Sequence, residues 1–590
     1  MAAQRAYTTH PLVLRRVTVR SVHQATPRMR RVVLGGEELA AFTRDGTGHP
    51  AFAAPGFDDH IKLILAADGD VHAALPAQLP HGIEWTPAEH RLTRDYTPRR
   101  VDPEAGELHL DFVVHGDGPA EAWSAAAREG DELWFVGPKS SLRLPERLDW
   151  IQLVGDETAL PAIGRFLDER PLDAPAHVLV TVSDDSARQE LALREGDTVT
   201  WVVAEPGDTE ALEAAVRALP VEAGEGYVWA AAESRALLPV RRYLQRERKL
   251  PKDRLNVTGY WHREEAPAPE AEATADAAVR EPARISSPLP WLVARAALQL
   301  GVVDAVADAP GLSAVALAAR VGVPVAGVGV LLPLLSSYGV VVGADDGAPG
   351  LRLGPAGEEL LDEHEREEYT GHEAELLLAL THLAPALRGG GSPWRLASGG
   401  TLHEAVAQDA ERYGELVEEC EQLVFLLGGL TADPLWESIG TCLLTGPGSA
   451  SVAAALDDAG RRPRLQVAED AVPVAVLRGH VPAPDRIDWT AGPADVAVAA
   501  KALAHRTDEE AVLLLARLAG WTRTAVLVEA SRPDGLSPHA AETALHAYAA
   551  TGSPLRDSAA IAALAHRSGW EVERTIALGW GTEATVLRRA

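Results

Sequence analysis

Three side chains in one short run could hold a planar, phosphorylated cofactor. The run is Arg94-Asp95-Tyr96-Thr97, within RLTRDYTPRR. The guanidinium of Arg94 is a permanently charged planar fork that suits a phosphate. Tyr96 could lie against an isoalloxazine face, and Thr97 could hydrogen-bond near its reactive edge. A bound flavin would use all three, although a surface strand with an Arg–Asp pair and a half-buried tyrosine would look the same.

A second run, HGDGPAEAWSAAAREG from residue 115, supports the flavin interpretation. Gly118-Pro119-Ala120 would open a helix whose free N–H groups can hold a diphosphate. The two runs together favour FAD over FMN.

The run Asp58-Asp59-His60 could be taken for a set of three metal ligands. Adjacent residues of a strand point to alternate faces, so these three cannot converge on one ion. We therefore predict no metal site. A structural role for His60 is as plausible as a place near the cofactor.

GDETALPAI at 155–163 has the pattern of a glycine turn between a strand and a helix. Gly155 gives the turn, and Thr158 and Ala159 lie near the helix start. The G-x-G-x-x-G fingerprint is missing, which argues only against a two-domain dehydrogenase. Ser183-Asp184-Asp185 ends the next strand, where an acidic residue accepts hydrogen bonds from a ribose 2′-hydroxyl and repels a 2′-phosphate. This favours NADH over NADPH, and a solvated turn is the alternative.

The composition excludes several classes of protein. The 590 residues carry a net charge of -30, which disfavours nucleic acid and anionic membranes as partners. Two cysteines, Cys420 and Cys442, are too few for a disulfide framework, a Cys-ligated cluster or a structural zinc site. The first residues lack a signal-peptide core, and no stretch is apolar enough to span a bilayer. We expect a cytoplasmic protein without membrane insertion.

Two halves of different character flank an Ala/Pro/Glu-rich stretch at 264–287, which is predicted to be a linker. The first half begins with short Val/Ile/Leu-rich strands between Gly, Asp and Pro turns, typical of an antiparallel barrel. After Trp150, strands alternate with helices, which indicates a parallel sheet with a nucleotide at its carboxyl edge. We predict a barrel at 1–146 and an α/β domain at 147–263.

A barrel followed by such a domain is the arrangement of ferredoxin-reductase-like flavoenzymes. Residues 12–262 resemble, more closely, the siderophore-interacting protein family of ferric-siderophore reductases. The resemblance rests on six runs in the family's order: FDDHIKLIL (57–65), RDYTPRR (94–100), HGDGPAEAW (115–123), FVGPKSS (135–141), GDETALPAI (155–163) and GYW (259–261).

The resemblance implies two sets of cofactor contacts. For FAD they are Arg94, Tyr96, Thr97, His60, His115, Asp117, Gly118, Pro119, Ala120 and Trp123. For NAD(P)H they are Gly155, Asp156, Thr158, Ala159, Ala232 and Glu233. Ala232 stands in WAAAE (229–233) where the family usually has glycine, and its methyl group could crowd the nicotinamide.

The implied reaction is hydride transfer from NAD(P)H to FAD, then single-electron transfer to Fe(III) in a docked siderophore complex. Hydride transfer needs alignment rather than an acid or base, so no catalytic side chain is predicted. Ferric siderophores are often anionic. We therefore predict that Arg99, Arg100 and Lys139 bind them, with Lys252 more remote; the alternative for each is a solvated surface charge.

The second half resembles small-molecule O-methyltransferases in the order of its elements. From Pro288, helical apolar runs with Gly and Pro breaks resemble their helical, winged-helix-like dimerisation region, predicted here at 288–435. Residues 436–590 resemble their Rossmann-like, adenosylmethionine-binding α/β domain. We predict a homodimer through the helices at 291–340.

Methyltransferase chemistry does not carry over with the resemblance. The glycine loop after Thr445 reads Gly446-Pro447-Gly448-Ser449. Its proline lacks a backbone N–H donor, and its serine adds bulk where the ligand should approach. Aligning Asp508-Glu509 with the family's acidic pair puts Ala504 at the catalytic position. On a helix, His505 would then be turned about 100° away.

The sequence therefore disfavours adenosylmethionine, although Glu469 or Asp470 could still meet a ribose. We expect an inactive module that dimerises or docks the reductase. Two alternatives stay open: a bifunctional tailoring enzyme with an active methyltransferase half, and a siderophore-binding protein with a vestigial flavin site. Intact RDYT, GPAEAW and GDETALPAI runs favour the reductase.

Overall fold

The computed structural model describes residues 7–67, 69–114, 118–220, 223–262, 287–343, 350–481, 483–537 and 540–589. Except for Ser287, the predicted linker at 264–287 lies outside the described residues.

The first domain consists mainly of short strands. They are β1 (Tyr7–Thr9), β2 (Leu14–Thr26), β3 (Met29–Gly35), β4 (Phe42–Arg44), β5 (Thr47–His49), β6 (Ile61–Ala66), β7 (Ala77–Leu79), β8 (Gly82–Glu84), β9 (Arg91–Tyr96), β10 (Pro98–Asp102), β11 (Glu107–Val113), β12 (Glu132–Val136) and β13 (Ser140–Leu142), with helices α1 (Val71–Ala74) and α2 (Pro119–Ala126). One seven-stranded antiparallel sheet has the order β10-β11-β3-β2-β12-β6-β9. Its edge strands β9 and β10 are consecutive in the chain, so the sheet curls into a barrel whose gap lies at Thr97.

Alternating apolar side chains hold this barrel together. In β11, Leu108, Leu110 and Phe112 point to one face, where they meet Leu34 of β3 and Phe135 of β12. All five side chains are fully buried. Side chains two apart along a strand share a face, so one register fills the barrel interior and leaves polar residues outside.

The second domain is a parallel α/β sheet. Its strands are β14 (Trp150–Gly155), β15 (Ala176–Val182), β16 (Thr198–Val203), β17 (Gly226–Glu233) and β18 (Leu255–Trp261), and its helices are α3 (Leu160–Glu169), α4 (Thr209–Ala218) and α5 (Leu237–Arg242). The strand order is β16-β15-β14-β17-β18. The order reverses beside β14, so the carboxyl end of β14 is the expected place for a nucleotide.

The first two domains pack directly on each other. The Phe57 ring of the barrel meets Phe166 of α3 at 5.1 Å and Trp229 of β17 at 5.4 Å. Arg165 of α3 is 3% exposed and donates to the carbonyl oxygens of Ala54 and Pro98. A buried guanidinium bonded to two barrel carbonyls makes this interface specific as well as apolar.

The third region is helical. Its helices are α6 (Leu289–Gln299), α7 (Val302–Asp308), α8 (Ala314–Val321), α9 (Val325–Ser337), α10 (Pro355–Glu359), α11 (Glu363–Thr370), α12 (His372–Ala379), α13 (Leu383–Gly389), α14 (Pro393–Ser398), α15 (Leu402–Gln408), α16 (Ala410–Glu419) and α17 (Gly428–Thr431), with the short strands β19 (Val341–Val342) and β20 (Arg352–Leu353) between α9 and α10. The hairpin β19–β20 beside α7 to α9 is the winged-helix-like part of this region. No single helix in the described part of the chain is long and apolar enough to cross a membrane, whereas two bent pairs, α6 with α7 and α8 with α9, meet that test together.

The last domain is a second α/β unit. It contains β21 (Thr441–Thr445), α18 (Ser449–Asp458), β22 (Arg464–Val467), α19 (Ala471–His480), β23 (Ile487–Asp488), β24 (Val496–Ala500), α20 (Asp508–Leu518), β25 (Thr524–Ala530), α21 (Ala540–Thr551), α22 (Ser558–Arg567), β26 (Trp570–Gly579) and β27 (Thr582–Arg589). The sheet order is β23-β22-β21-β24-β25-β27-β26, and β27 pairs antiparallel with both neighbours. This is the Rossmann-like arrangement predicted for the second half.

The two halves meet where the β7–β8 hairpin of the barrel packs on the end of β26, a contact termed here the glycine seam. The Trp85 and Trp580 rings meet edge to face at 6.1 Å. Glu84 pairs with Arg532 at 2.6 Å and accepts a hydrogen bond from the Gly581 N–H at 3.3 Å. Trp85 is 1% exposed and Glu84 6%, so the seam is as dry as a domain interior.

Glycines allow this close approach. A Cβ on Gly82 would lie 3.0 Å from the Leu578 oxygen, and one on Gly579 would lie 2.3 Å from the Ile83 oxygen. A Cβ on Gly535 would lie only 1.8 Å from the Trp85 oxygen. The backbones of the two halves therefore touch without room for a side chain.

We expect Gly535→Ala to destabilise the whole chain, because its methyl group has no space against the Trp85 carbonyl. The free energy of unfolding should fall by about 1–3 kcal/mol, the usual cost of overpacking, and scanning calorimetry would record a lower melting temperature. The matched control is Gly414→Ala in α16, where a Cβ meets nothing within 4 Å in the described chain. That variant should melt no lower than wild type. Equal melting temperatures for both variants would contradict the close backbone packing inferred at the glycine seam.

Candidate functional site

A row of three aromatic rings joins the two predicted flavin runs. The Tyr96 ring, at the end of β9, lies 4.5 Å from the Phe112 ring of β11. Phe112 in turn lies 5.7 Å from Trp123 of α2. Burial raises the pKa of the Tyr96 hydroxyl, so the ring stays neutral near pH 7. The row brings RDYT and GPAEAW side by side.

The beginning of α2 is accessible to a phosphate. Gly118 precedes the helix in an extended conformation, Pro119 is its first residue, and no described side chain caps this end. A Cβ on Gly118 would meet nothing within 4 Å among the described residues. Amide groups at such a helix start attract a diphosphate. Ala120 is buried beneath it, whereas the predicted contacts His115 and Asp117 lie outside the described residues.

Arg94 and Thr97 flank Tyr96 in different environments. Arg94 is exposed and donates from Nη1 to the Thr93 oxygen at 2.8 Å, so its guanidinium is accessible to a phosphate. Thr97 is 7% exposed, and the Tyr260 hydroxyl of β18 lies near it. The GYW run of the second domain therefore comes close to the gap of the barrel.

Asp58, Asp59 and His60 do not lie in a strand, which corrects the sequence argument. They form the turn that precedes β6, because the strand begins only at Ile61. Asp58 accepts hydrogen bonds from the Trp229 indole at 3.1 Å and from Asn256 at 3.3 Å. This carboxylate ties the barrel to the second domain, whereas His60 is exposed.

Asp59 has a separate set of partners. It accepts from the Gly56 N–H and the Ser141 hydroxyl, both at 2.8 Å, and burial raises its pKa to about 7. Within the described ranges, no three His, Cys, Asp or Glu side chains come together as a metal site.

A pocket opens at the carboxyl edge of the parallel sheet, where a nucleotide is expected. Its walls are the residues after β14, β15 and β16, with Arg28 and Val113 of the barrel and Trp261 of β18. Gly155 is required there because a Cβ would lie 2.3 Å from the Ala159 Cβ and 2.6 Å from the Ala231 oxygen. The helix start of α3 can therefore approach the sheet closely, as a dinucleotide site needs.

Asp156 organises this pocket. Its carboxylate accepts from the Thr158 N–H at 2.8 Å and from the Thr158 hydroxyl, from the Trp261 indole at 2.7 Å and from the Glu233 N–H at 3.0 Å. Burial raises the pKa of the carboxyl group. Asp156 thus joins the ends of three neighbouring strands rather than pointing at a ligand.

Ala232 does not crowd the cleft as the sequence suggested. It is 1% exposed, and its methyl group packs in the core with Leu237 and Val240 of α5. Glu233 is also buried and accepts from the Ala236 N–H at 2.9 Å. Both side chains therefore pack beneath the pocket at the end of β17.

The predicted aspartates after β15 have structural partners. Asp184 accepts from the Ser186 N–H at 2.7 Å, which caps a short 3-10 turn. Asp185 pairs with Arg188 at 2.7 Å. Nothing in these contacts tests the predicted preference for NADH, which stays a prediction.

Arg28 is a pocket residue that the sequence reasoning missed. It ends the β2–β3 turn of the barrel, lines the nucleotide pocket and lies 3.9 Å from Glu157. Its Nε atom is buried and has no hydrogen-bond partner among the described residues. Glu157 is itself bonded to the amide and hydroxyl of Ser183. The only sequence signal was a cluster of arginines, TPRMRR, in a very acidic chain.

The structure places the predicted siderophore-binding cations in different settings, and two of them already have partners from other domains. Arg99 pairs with Asp168 of α3 at 2.7 Å and is 14% exposed, inside the interface of the first two domains. Lys139 donates to Gln422 at 2.8 Å and lies 5.0 Å from the Phe425 ring, both in the second half. Desolvation there lowers the pKa of Lys139. Neither is a free surface cation, because long-range contacts unseen in the sequence engage both.

Arg100 and Lys252 remain on the surface. Arg100 is exposed and pairs with Asp102 at 2.8 Å. Lys252 is exposed in a short 3-10 turn before β18. An exposed ion pair is weak and can give way to another anion.

The glycine loop of the C-terminal domain is folded onto its own acidic residue. Glu469 accepts from the Thr445 hydroxyl and from the Gly446 N–H, each at 2.6 Å. A Cβ on Gly448 would lie 2.8 Å from the Ala500 Cβ and 3.0 Å from Leu423. The loop is therefore covered on its other side, and Glu469 occupies the amide that a ligand would use.

His505 is not on a helix, so the rotation argument from the sequence is wrong. It lies in the turn before α20 and is 4% exposed. The centre of its ring lies 5.4 Å from that of the His403 ring, with the two rings tilted, in a small polar cavity. Ala504 is the exposed residue. Arg506 lies 3.0 Å from Nε2 of His505, and burial lowers the pKa of His505 well below its usual range. A histidine whose Nε2 faces a guanidinium is a poor general base.

Comparison with known proteins divides the chain in the same way. A family model described as siderophore-interacting FAD-binding domain matches residues 18–142, and one described as siderophore-interacting protein matches 148–264. A third, the O-methyltransferase dimerisation domain, matches 292–363.

Individual relatives match the first half. The NADPH-dependent ferric-chelate reductase of Escherichia coli is 31% identical over 254 residues, which cover 42% of this chain and 94% of the relative. The ferric vibriobactin reductase ViuB of Vibrio cholerae is 30% identical over 237 residues, covering 40% of this chain and 83% of the relative. A crystal structure of a siderophore utilization protein from T. fusca is 37% identical with a TM-score of 0.41, covering 45% of this chain and 98% of that one. Since the chain spans nearly all of a relative that is 31% identical, and matching models cover both reductase-type domains, it belongs to the siderophore-interacting protein family.

Proposed function

We propose that this chain is an FAD-dependent reductase that oxidises NAD(P)H and reduces ferric siderophores. The observation that carries the proposal is the row Tyr96–Phe112–Trp123, which joins the two flavin runs beside the nucleotide pocket. The printed names of the Escherichia coli and Vibrio cholerae relatives support a ferric chelate as substrate.

The residues of the chain hold and align their ligands. Bound FAD would supply the hydride acceptor and the one-electron donor that iron reduction needs. Arg94 and the start of α2 bind its phosphates, and Tyr96 packs against its ring system. The Thr97 hydroxyl, at the gap of the barrel, would hydrogen-bond near the reactive edge of the ring system. Arg100 is the surface cation best placed to attract an anionic chelate, because Arg99 and Lys139 are engaged elsewhere.

An anaerobic experiment tests this function. Purified protein with FAD should lose its flavin absorbance on addition of NADPH or NADH and regain it when a ferric siderophore is added. A chelating dye should record Fe(II) at the same time. Flavin that binds without bleaching, or bleaching without Fe(II), would contradict the proposal.

The variant Arg94→Ala should weaken FAD binding by about ten- to a hundredfold, because a charged hydrogen bond to phosphate contributes roughly 1.5–3 kcal/mol. Fluorescence titration of the apoprotein with FAD measures the change. The matched control is Arg16→Ala, which breaks an exposed pair with Glu132 on the same barrel and should bind FAD normally. Equal affinities for the two variants would remove Arg94 from the site.

We also propose that Arg28 binds a phosphate of NAD(P)H. Its buried Nε lies at the pocket between barrel and nucleotide domain, close to the residues that follow β14 and β15. An arginine so placed would draw in a diphosphate or the 2′-phosphate of NADPH.

The variant Arg28→Ala should therefore raise the KM for NADPH about tenfold or more, the size expected for a lost charged contact, with FAD content unchanged. If the KM for NADH rises equally, Arg28 binds the diphosphate. If the KM for NADPH alone rises, Arg28 reads the 2′-phosphate. An unchanged KM for both would exclude Arg28, and loss of FAD would assign it to the flavin instead. The wild-type ratio of kcat/KM for the two nucleotides tests the predicted preference for NADH.

The second half is proposed to be an inactive module that dimerises the protein. Arg506 at His505 and Glu469 on the glycine loop support inactivity. Helix α9, inside the region matched by the dimerisation model, presents Val325 at 49% and Val330 at 69% exposure. Apolar side chains as exposed as these on a helix are typical of a subunit interface.

We expect Val330→Glu to convert the dimer into a monomer, because a carboxylate would be buried without a partner. Light scattering after size-exclusion chromatography gives the mass. The matched control is Leu513→Glu, which places the same charge on a similarly exposed apolar site of α20, 68% exposed and outside the matched region. A dimer that survives Val330→Glu would exclude this face.

A further inference from the structure

The C-terminal half contacts both reductase domains, and each contact has a different chemistry. The glycine seam joins it to the barrel through apolar rings and closely packed backbones. On the other side, three arginines of the nucleotide domain meet three carboxylates on and just after α10. We term these carboxylates, Glu358, Glu359 and Asp362, the acidic clamp.

The ion pairs of the clamp are specific. Arg235 pairs with Glu359 at 2.5 Å, Arg242 with Glu358 and Arg241 with Asp362. The Asp362 side chain is 7% exposed, so the carboxylate of this pair is shielded from solvent.

The clamp is attached to the part of the nucleotide domain that reaches the flavin site. Its arginines lie in and just before α5, which follows the end of β17. Arg241 also donates to the Val257 oxygen of β18 at 3.1 Å. Further along β18, the Trp261 indole donates to Asp156, and Tyr260 lies near Thr97 of the barrel. Movement of α5 would therefore move the residues that align the two cofactors.

We propose that the C-terminal half is a brace that fixes the nucleotide domain against the flavin barrel. This inference rests on the proposed reductase function. The direct interface, with Phe57 and Arg165, holds the two domains at one side. The C-terminal half is fixed to the barrel at the glycine seam and holds α5 from outside, so the nucleotide domain is supported at two separated places. Hydride transfer depends steeply on the distance between the reacting atoms, so it benefits from this support.

The test removes the charges of the clamp without touching the reductase half. In the triple variant Glu358→Gln, Glu359→Gln, Asp362→Asn, each side chain keeps its shape. Rapid mixing with NADPH without oxygen should show flavin reduction slowed by about three- to thirtyfold, since misplacement of a fraction of an ångström to 1 Å has effects of this order. The Kd for NADPH and the reoxidation rate with a ferric chelate should stay as in wild type.

A charge-matched control separates position from net charge. Asp308→Asn, Glu411→Gln and Glu418→Gln remove three exposed carboxylates of the same half away from the clamp and should leave flavin reduction unchanged. Reversing one pair, Arg242→Glu with Glu358→Arg, should restore most of the rate lost in either single variant. An unchanged rate of flavin reduction in the clamp variant would overturn the brace proposal. An equal slowing of flavin reoxidation would also overturn it, because it would indicate general damage to the protein.

Hydrogen exchange gives a readout that does not depend on activity. The clamp variant should exchange faster than the control in the amides of α5 and β18, while the barrel strands keep their protection. If wild-type flavin is not reduced by NAD(P)H, the reductase proposal fails, and the exchange data still decide whether α5 is held. Exchange identical to the control would overturn the brace by itself.

Discussion

The hydrogen bonds of one buried carboxylate hold the nucleotide site together. Asp156 directly follows β14 and accepts bonds from its own helix turn, from the Trp261 indole of β18 and from the Glu233 amide of β17. A carboxylate without these donors would be costly to bury, so the three strand ends have one stable arrangement. Gly155 and the pocket walls lie around this arrangement, and the neighbouring Tyr260 lies near Thr97 of the barrel.

Local signals in the sequence were sufficient for the elements and for the short runs that carry chemistry. Strands of the barrel alternate apolar and polar residues, and the turn into α3 is marked by Gly155, so both follow from nearby residues. Sites formed by residues that are far apart in the chain could not be predicted from such local signals. Lys139 meets Gln422 across 283 positions, and Arg28 enters a pocket built by another domain. His505 was misplaced because a helix was assumed one turn too early, a boundary that sequence fixes poorly.

The C-terminal half combines the architecture of an α/β domain with a site that we propose to be inactive. Its sheet supports β26, and β26 is part of the glycine seam, so the sheet contributes to the stability of the barrel as well. The polar cavity around His403 and His505 is lined by none of the seam residues. Arg506 facing a histidine nitrogen and Glu469 bonded to a loop amide are the contacts on which the proposed inactivity rests.

The glycine seam also determines how this chain can change over generations. Gly82, Gly535 and Gly579 each have the other half's backbone at the place of a side chain, so a substitution in one half must be answered in the other. The two halves therefore cannot vary independently along this edge. The cavity of the C-terminal half, which faces neither the seam nor the clamp, is free to drift or to acquire a new ligand without disturbing the reductase.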